Sequence, residues 1–95
     1  MVIGTTDRRA LFKPGVIVIS PGALSALRQT DVLDALVRHF RGDWGEVNEH
    51  DWKRNEAALK GGSRICSAYS SHDQTEFWII SEADRSMTTV LLPEY

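Results

Sequence analysis

The residues best suited to chemistry in this chain are Glu82, Asp84 and Arg85, with Ser86 beside them, inside the run Ile79 to Tyr95, IISEADRSMTTVLLPEY. On an extended backbone Glu82 and Asp84 point to one side, where Arg85 can hold or orient their carboxylates. Paired oxygen ligands of this kind suit a hard divalent cation such as Mg²⁺. The same residues also make a well-formed turn: Asp84 closes an Asx-turn onto the backbone near Ser86, Arg85 pairs with Glu82, and a hairpin is fixed. The turn is the stronger reading. A metal-dependent nuclease needs a further acidic residue and a lysine converging from neighbouring strands, and the strand-like runs offer Glu76 and no lysine.

The segment Gly42-Asp43-Trp44-Gly45-Glu46 poses a similar choice. Two glycines permit sharp turns around a large amphipathic ring, which serves either as an exposed recognition anchor or as a lid folded onto the core. The lid is the preferred reading. Asn55 falls on the inward face of a helix between Trp52 and Leu59, where an unpaired amide is costly, and the backbone of the 43–46 loop is its expected partner. The candidate binding residues are therefore Asp43, Trp44, Glu46, Arg64, Glu82, Asp84 and Arg85. No residue is assigned as catalytic or metal-ligating, and no cofactor is expected.

His39, His50 and His72 show no HxxxH or HxH spacing, and Cys66 has no second cysteine with which to chelate zinc. Cys66 with a histidine is a conceivable thiol nucleophile pair, but a small thiol in an alternating strand is more often packing. The serines lie in no nucleophile elbow, and no glycine-rich loop precedes a helix in a phosphate-binding pattern.

These residues must be positioned by short elements. Val16 to Ile19 is a β-branched run bounded by Pro14-Gly15 and Ser20-Pro21, which predicts a short buried strand. Ser20 then caps a short helix with proline at its first position, burying Leu24 and Leu27. Thr30 or Asp31 caps a second helix in which Val32, Leu33, Leu36, Val37 and Phe40 share one face and which Gly42 ends. Asn48 caps a third helix running to about Lys60 and stopped by Gly61-Gly62, with a thin inward stripe of Trp52, Asn55, Ala58 and Leu59. From Arg64 the period becomes alternating: Ile65, Ser67 and Tyr69 point one way and Cys66 and Ala68 the other, followed by Phe77 to Ile80 and Met87 to Leu92. The order β-α-α-α-β-β-β predicts a single α+β domain, with a mainly antiparallel sheet and helices packed on one face. The first strand joins an edge of the meander, and residues 1–12 are expected to be poorly ordered.

The 95 residues suffice for one domain, since domains usually run from about 50 to 250 residues. One cysteine excludes an intrachain disulfide and favours a reducing, cytosolic setting. No apolar stretch approaches the roughly 20 residues needed to cross a bilayer, so no membrane partner is expected. Eleven basic against thirteen acidic residues give a net charge of −2, which disfavours a non-specific grip on nucleic acid.

Taken together, the motifs PGAL (Pro21 to Leu24), GDWG (Gly42 to Gly45), Asn55, RICSAY (Arg64 to Tyr69) and EADRS-x-TT-x-LLPEY (Glu82 to Tyr95) resemble a family of small bacterial proteins found on plasmids and other mobile elements. The likeness spans most of the chain from Pro21 onward and is most specific in the last motif. Ser81 stands where the family more often has Thr, and Met87 where it has Val. Some members carry names such as plasmid-related protein or type I restriction enzyme subunit M. A methyltransferase subunit needs a cofactor-binding α/β domain several times this size with a glycine-rich turn after a strand, and this chain has neither. The resemblance implies a mobile-element context and no particular reaction.

The resulting expectation is a non-enzymatic cytosolic protein-interaction module, an accessory or defence-modulating protein of a mobile element, with a protein partner and a homodimer formed through a sheet edge. The alternative is a small metal-dependent or acid/base enzyme acting on nucleic acid through the Glu82-Asp84-Arg85 turn, with Arg64 and with His50 as proton carrier. A third reading, a nucleic-acid binder, uses Arg38, Arg41, Lys53, Arg54 and Lys60.

Overall fold

The computed structural model describes residues 10–93. The elements are β1 (Val16–Ile19), α1 (Pro21–Ala26), α2 (Gln29–Phe40), α3 (Glu49–Gly61), β2 (Ile65–Ser70), β3 (Glu76–Ser81) and β4 (Met87–Leu91). The α+β order is the expected one. The sheet runs β1-β4-β3-β2: the meander β2-β3-β4 is antiparallel, and β1 lies parallel to β4 with Val16 opposite Met87 and Ile19 opposite Val90. A right-handed crossover through helices is the usual way to return a chain to a parallel neighbour, and α1 to α3 supply the covering layer on that path.

The helix ends follow local chemistry. Ser20 Oγ accepts from Ala23 N–H at 3.2 Å with Pro21 behind it, and Asn48 Oδ1 accepts from Asp51 N–H at 2.8 Å. Gly62 closes α3 in the left-handed region at φ 75°. The expected cap of α2 at Thr30 or Asp31 is corrected: the helix begins at Gln29 after Arg28, without a side-chain cap. Asp31 lies inside the first turn, where its carboxylate accepts from Arg28 and from the His72 backbone and ring, tying α2 to the β2–β3 turn.

The main core lies between the sheet and α1 with α2. Ala23, Leu27, Val32, Ala35 and Leu36 meet Tyr69, Phe77, Ile79 and Val90 there. A second cluster, Trp44, Ala58 and Ile65 with Phe12, Val47, Trp52 and Leu59 against it, fills the space beside α3. Leu11 N–H donates to Phe40 O at 2.7 Å and Phe12 stacks among His39, Phe40 and Trp44; of the stretch 1–12, residues 1–9 lie outside the described residues. Three packing expectations are corrected. β1, expected to be buried, is exposed from Val16 to Val18 because it is the outer strand of the sheet; Leu24 is exposed, because α1 is only six residues long and its buried contact is made by Ala23; and Leu33 and Val37 of α2 are exposed. The opposite face of the sheet carries half-buried Cys66, Ala68, Trp78, Ile80, Thr89 and Leu91.

Candidate interaction surface

The two edges of the sheet are treated differently. β2 is one edge, and the outward backbone groups of Cys66 and Ala68 along it are engaged. Asn55 Nδ2 donates to Cys66 O at 2.9 Å while Cys66 N–H donates to Asn55 Oδ1 at 3.1 Å, so one side-chain amide stands in for a neighbouring strand. Two residues on, Ala68 N–H donates to Trp44 O at 3.2 Å and Glu46 N–H donates to Ala68 O at 2.7 Å, a parallel bridge centred on Gly45. Gly45 sits at φ 74°, and a Cβ there would lie 2.0 Å from Ala68 O. Asn55 is buried as expected, but its expected partner is corrected: it binds β2, and the 42–46 loop binds β2 beside it. The two share a strand edge and satisfy it jointly.

β1 is the other edge. The β4 ladder uses the groups of Val16, Val18 and Ser20, with Val16 N–H donating to Ser86 O at 3.0 Å and Ser20 N–H to Val90 O at 2.9 Å. Alternate residues of a strand turn their groups to opposite sides, so Ile17 and Ile19 present N–H and C=O outward. Among the described residues no backbone or side chain pairs with them. The side chains around this edge are apolar and in solvent: Val16 is 62% exposed, Ile17 44%, Val18 37%, Leu24 68% and Leu33 51%. Between β1, α1 and α2 runs a groove of about 430 Å³ lined by Ile17, Ile19, Leu24, Leu27, Leu33 and Leu36 among others, with Gln29 its one polar lining residue.

The residues singled out by the sequence form two separate groups, at opposite ends of β2. At one end Arg64 pairs with the Glu82 carboxylate at 3.2 Å, in solvent. Asp84 Oδ1 accepts from Ser86 N–H at 3.0 Å, the expected Asx-turn, and the Ser86 side chain first, with this backbone bond second, holds its carboxyl below the usual range. The expected pairing of Arg85 with the Glu82 side chain is corrected. The guanidinium donates to three backbone carbonyls, Ser63 O at 2.6 Å, Ala58 O at 2.8 Å and Glu82 O at 2.9 Å, and lies 5.3 Å from the centre of the Phe12 ring. Arg85 itself occupies the left-handed region at φ 59°. Its planar fork thus ties the β3–β4 turn to the C-terminal end of α3, where Ala58 O accepts from it as well as from the Gly62 cap N–H. Such a satisfied cation is a structural clamp.

At the other end Trp44 is fully buried, its indole N–H donating to Glu56 at 2.9 Å, so it is the lid and no exposed anchor. Asp43 is held by Arg38 at 2.8 Å and by Gly45 N–H, with the Arg38 bond first in keeping its carboxyl below the usual range. Glu46 accepts from Ser70 Oγ at 2.9 Å. A broad groove of about 960 Å³ separates α3 from the uncovered face of β2 and β3, with Asp51, Arg54, Arg64 and Glu76 along its rims and Cys66 on its floor. Burial raises the Cys66 thiol, which disfavours the thiolate a nucleophile requires. Among the described residues no three His, Cys, Asp or Glu side chains gather to hold a metal ion, and no helix is long and apolar enough to cross a membrane.

Sequence reasoning passed over His39. It is completely buried, with Nδ1 2.6 Å from Ser67 Oγ and Nε2 2.9 Å from Ser81 Oγ; Ser81 Oγ is 2.7 Å from Thr88 Oγ1, which donates to Pro14 O at 2.8 Å. The proton count fixes the tautomer. Thr88 gives its proton to Pro14, so Ser81 must donate to Thr88 and accept from His39, placing hydrogen on Nε2; Nδ1 then accepts from Ser67. The signal was present: Val32, Ala35, Leu36 and His39 share the buried stripe of α2, and a histidine in such a stripe needs hydroxyl partners on the facing strands. Set against family models, curated proteins and solved structures, the chain finds no match in any of the three.

Proposed function

We propose that this protein is a non-catalytic, cytosolic interaction module whose working surface is the β1 edge together with the apolar groove beside it. The observation that supports this reading is the contrast between the edges: β2 is covered at Cys66 and Ala68 by Asn55 and the 42–46 loop, while among the described residues nothing pairs with the outward backbone of β1, which is flanked by exposed Val, Ile and Leu. Edge strands with neighbouring side-chain pockets are a recurrent mode of protein recognition. The catalytic alternative is weakened because Arg85 is engaged by three carbonyls, Glu82 pairs with Arg64 and Asp84 accepts from Ser86 N–H within the turn. The resemblance to plasmid-borne proteins supplies the setting, an accessory protein of a mobile element.

A photo-crosslinking residue at position 24 tests the reading, with position 53 on exposed α3 as control. Expressed in cells, the chain should give protein adducts from position 24 and none from position 53. No adduct from position 24 refutes it.

A further inference from the structure

We infer that the occupant of the β1 edge is a second copy of this chain, paired antiparallel through β1 so that two four-stranded sheets become one of eight. This rests on the interaction-module reading and names the partner. Three observations carry it.

The first is backbone geometry. Ile17 and Ile19 are the residues whose groups face outward, and two such residues exchange both hydrogen bonds when they sit opposite each other in an antiparallel pair. Placing Ile17 opposite Ile19 of the second copy satisfies all four groups on each strand at once, around a two-fold axis through Val18. Pro14 and Pro21 bracket the strand, and proline has no N–H to extend the ladder, so the register is confined to these four residues.

The second is area. Val16, Ile17, Val18, Leu24 and Leu33 together expose on the order of 500 Å² of apolar surface, near the upper end for a free-standing monomer. A standard interface takes roughly 800 Å² from each partner, of which a homodimer makes about 65% apolar, so these residues on the two sides of the edge, once covered, supply most of the apolar area that a stable dimer needs. The third is charge. None of the groove-lining residues is charged, so a two-fold operation sets no like charges against each other. Ile17 and Leu24 on the helix side and Val16 and Val18 on the other face place apolar contacts above and below the new ladder.

Sedimentation equilibrium across a micromolar range should give the dimer mass for the wild type. The double variant Leu24→Glu/Leu33→Glu, altered only at exposed positions, should weaken association by at least about 100-fold while keeping a cooperative unfolding transition. Register is read separately. In a Cys66→Ser background, Val18→Cys should oxidise to a covalent dimer, because directly opposed residues outside the hydrogen-bonded pairs bring their Cα atoms to about 4.5 Å. A monomer mass throughout overturns self-pairing, and so does a dimer that survives the double variant. If the wild type is monomeric while position 24 still crosslinks to another protein, self-pairing falls and the interaction reading stands. If position 24 crosslinks to nothing, both fall.

Discussion

Acid should unfold this protein through His39 before it does so through its carboxylates. The ring is fully buried, and burial is the first cause, with the Arg85 guanidinium second, that lowers its pKa from 6.5 to about 3. Arg85 enters from the β3–β4 turn; the other groups against the ring are the Ser67 and Ser81 hydroxyls and the rings of Phe12, Phe40 and Trp44, none of which compensates a positive charge. The sign follows from proton binding. Below pH 6.5 the unfolded chain takes up a proton that the folded chain refuses, so the stability carried by neutral His39 is present above 6.5 and lost as pH falls towards 3. Each pH unit in this window is worth about 1.4 kcal/mol, so about 2 kcal/mol is gone at pH 5 and about 3 kcal/mol at pH 4. A domain of this length holds on the order of 5–14 kcal/mol in all, which makes that loss a large share.

Urea denaturation from pH 7.5 to 4.5 measures it, on the wild type and on His39→Gln, which keeps a donor and an acceptor without a titrating ring. The variant should start about 1–3 kcal/mol lower, since the Ser67 and Ser81 bonds are imperfectly replaced, and its stability should fall less steeply below pH 6.5 than that of the wild type. Histidine C2–H resonances give a second reading, in which the His39 signal should hold its shift down to pH 4.5. Parallel losses in the two proteins, or a His39 resonance titrating near pH 6, would refute the reasoning.

Gly45→Ala should cost about 2–4 kcal/mol by chemical denaturation, because its Cβ meets Ala68 O and the Tyr69 ring at a positive φ; an unchanged midpoint would show that the bridge to β2 is dispensable. Asn55→Ala should cost about 1–3 kcal/mol and speed amide exchange at Cys66 N–H, with wild-type exchange there counting against the edge-sealing role. Arg85→Ala should cost about 2–4 kcal/mol and Arg85→Lys nearly as much, since a point charge cannot reach three carbonyls; full rescue by lysine would show that charge alone suffices. Asp31, lowered to about 2 chiefly by its bond to the His72 side chain, contributes stability above 3.8 that disappears as pH falls towards 2, so Asp31→Asn should flatten the acid limb of a melting curve in that range.

What was legible in the sequence divides along a physical line. Periodicity and caps are local, so the alternation of Ile65, Ser67 and Tyr69, the Ser20 and Asn48 caps and the Asx-turn at Asp84 could all be read directly. Partners distant in sequence were harder. Asn55 was correctly placed indoors by its helical spacing, but its partner was inferred from chain order, whereas strand order decides it: β2 is an edge only because β1 joins the sheet beyond β4. Arg85 was matched to the nearest carboxylate, while tertiary packing brought Ala58 O of α3 and Ser63 O just beyond it within reach of the same fork that bonds Glu82 O in its own turn. Leu24 and Leu33 show a third kind of failure. Helical spacing says which residues share a face, but it cannot say that the face overhangs the outermost strand of the sheet, where no further strand among the described residues covers it.

That overhang gives the edge asymmetry its meaning. Proteins guard open strands with charge, proline, bulges or a covering segment, and this chain uses a covering segment on β2 at considerable constraint: a buried amide, a left-handed glycine and a loop bent to bond Ala68 from both sides. On β1, among the described residues, it uses none of these within the strand; the prolines only bracket it. Neglect of β1 would be readily removed, since one lysine at position 16 or 18 would face solvent without disturbing the core and would discourage pairing. Instead the exposed residues there are Val, Ile and Val, β-branched types whose contribution is made when another pleated surface packs against them. A free monomer gains nothing from those side chains in water. The composition of β1 suits a state in which they are covered, and an extended strand is the partner that would satisfy the outward groups of both Ile17 and Ile19 at once.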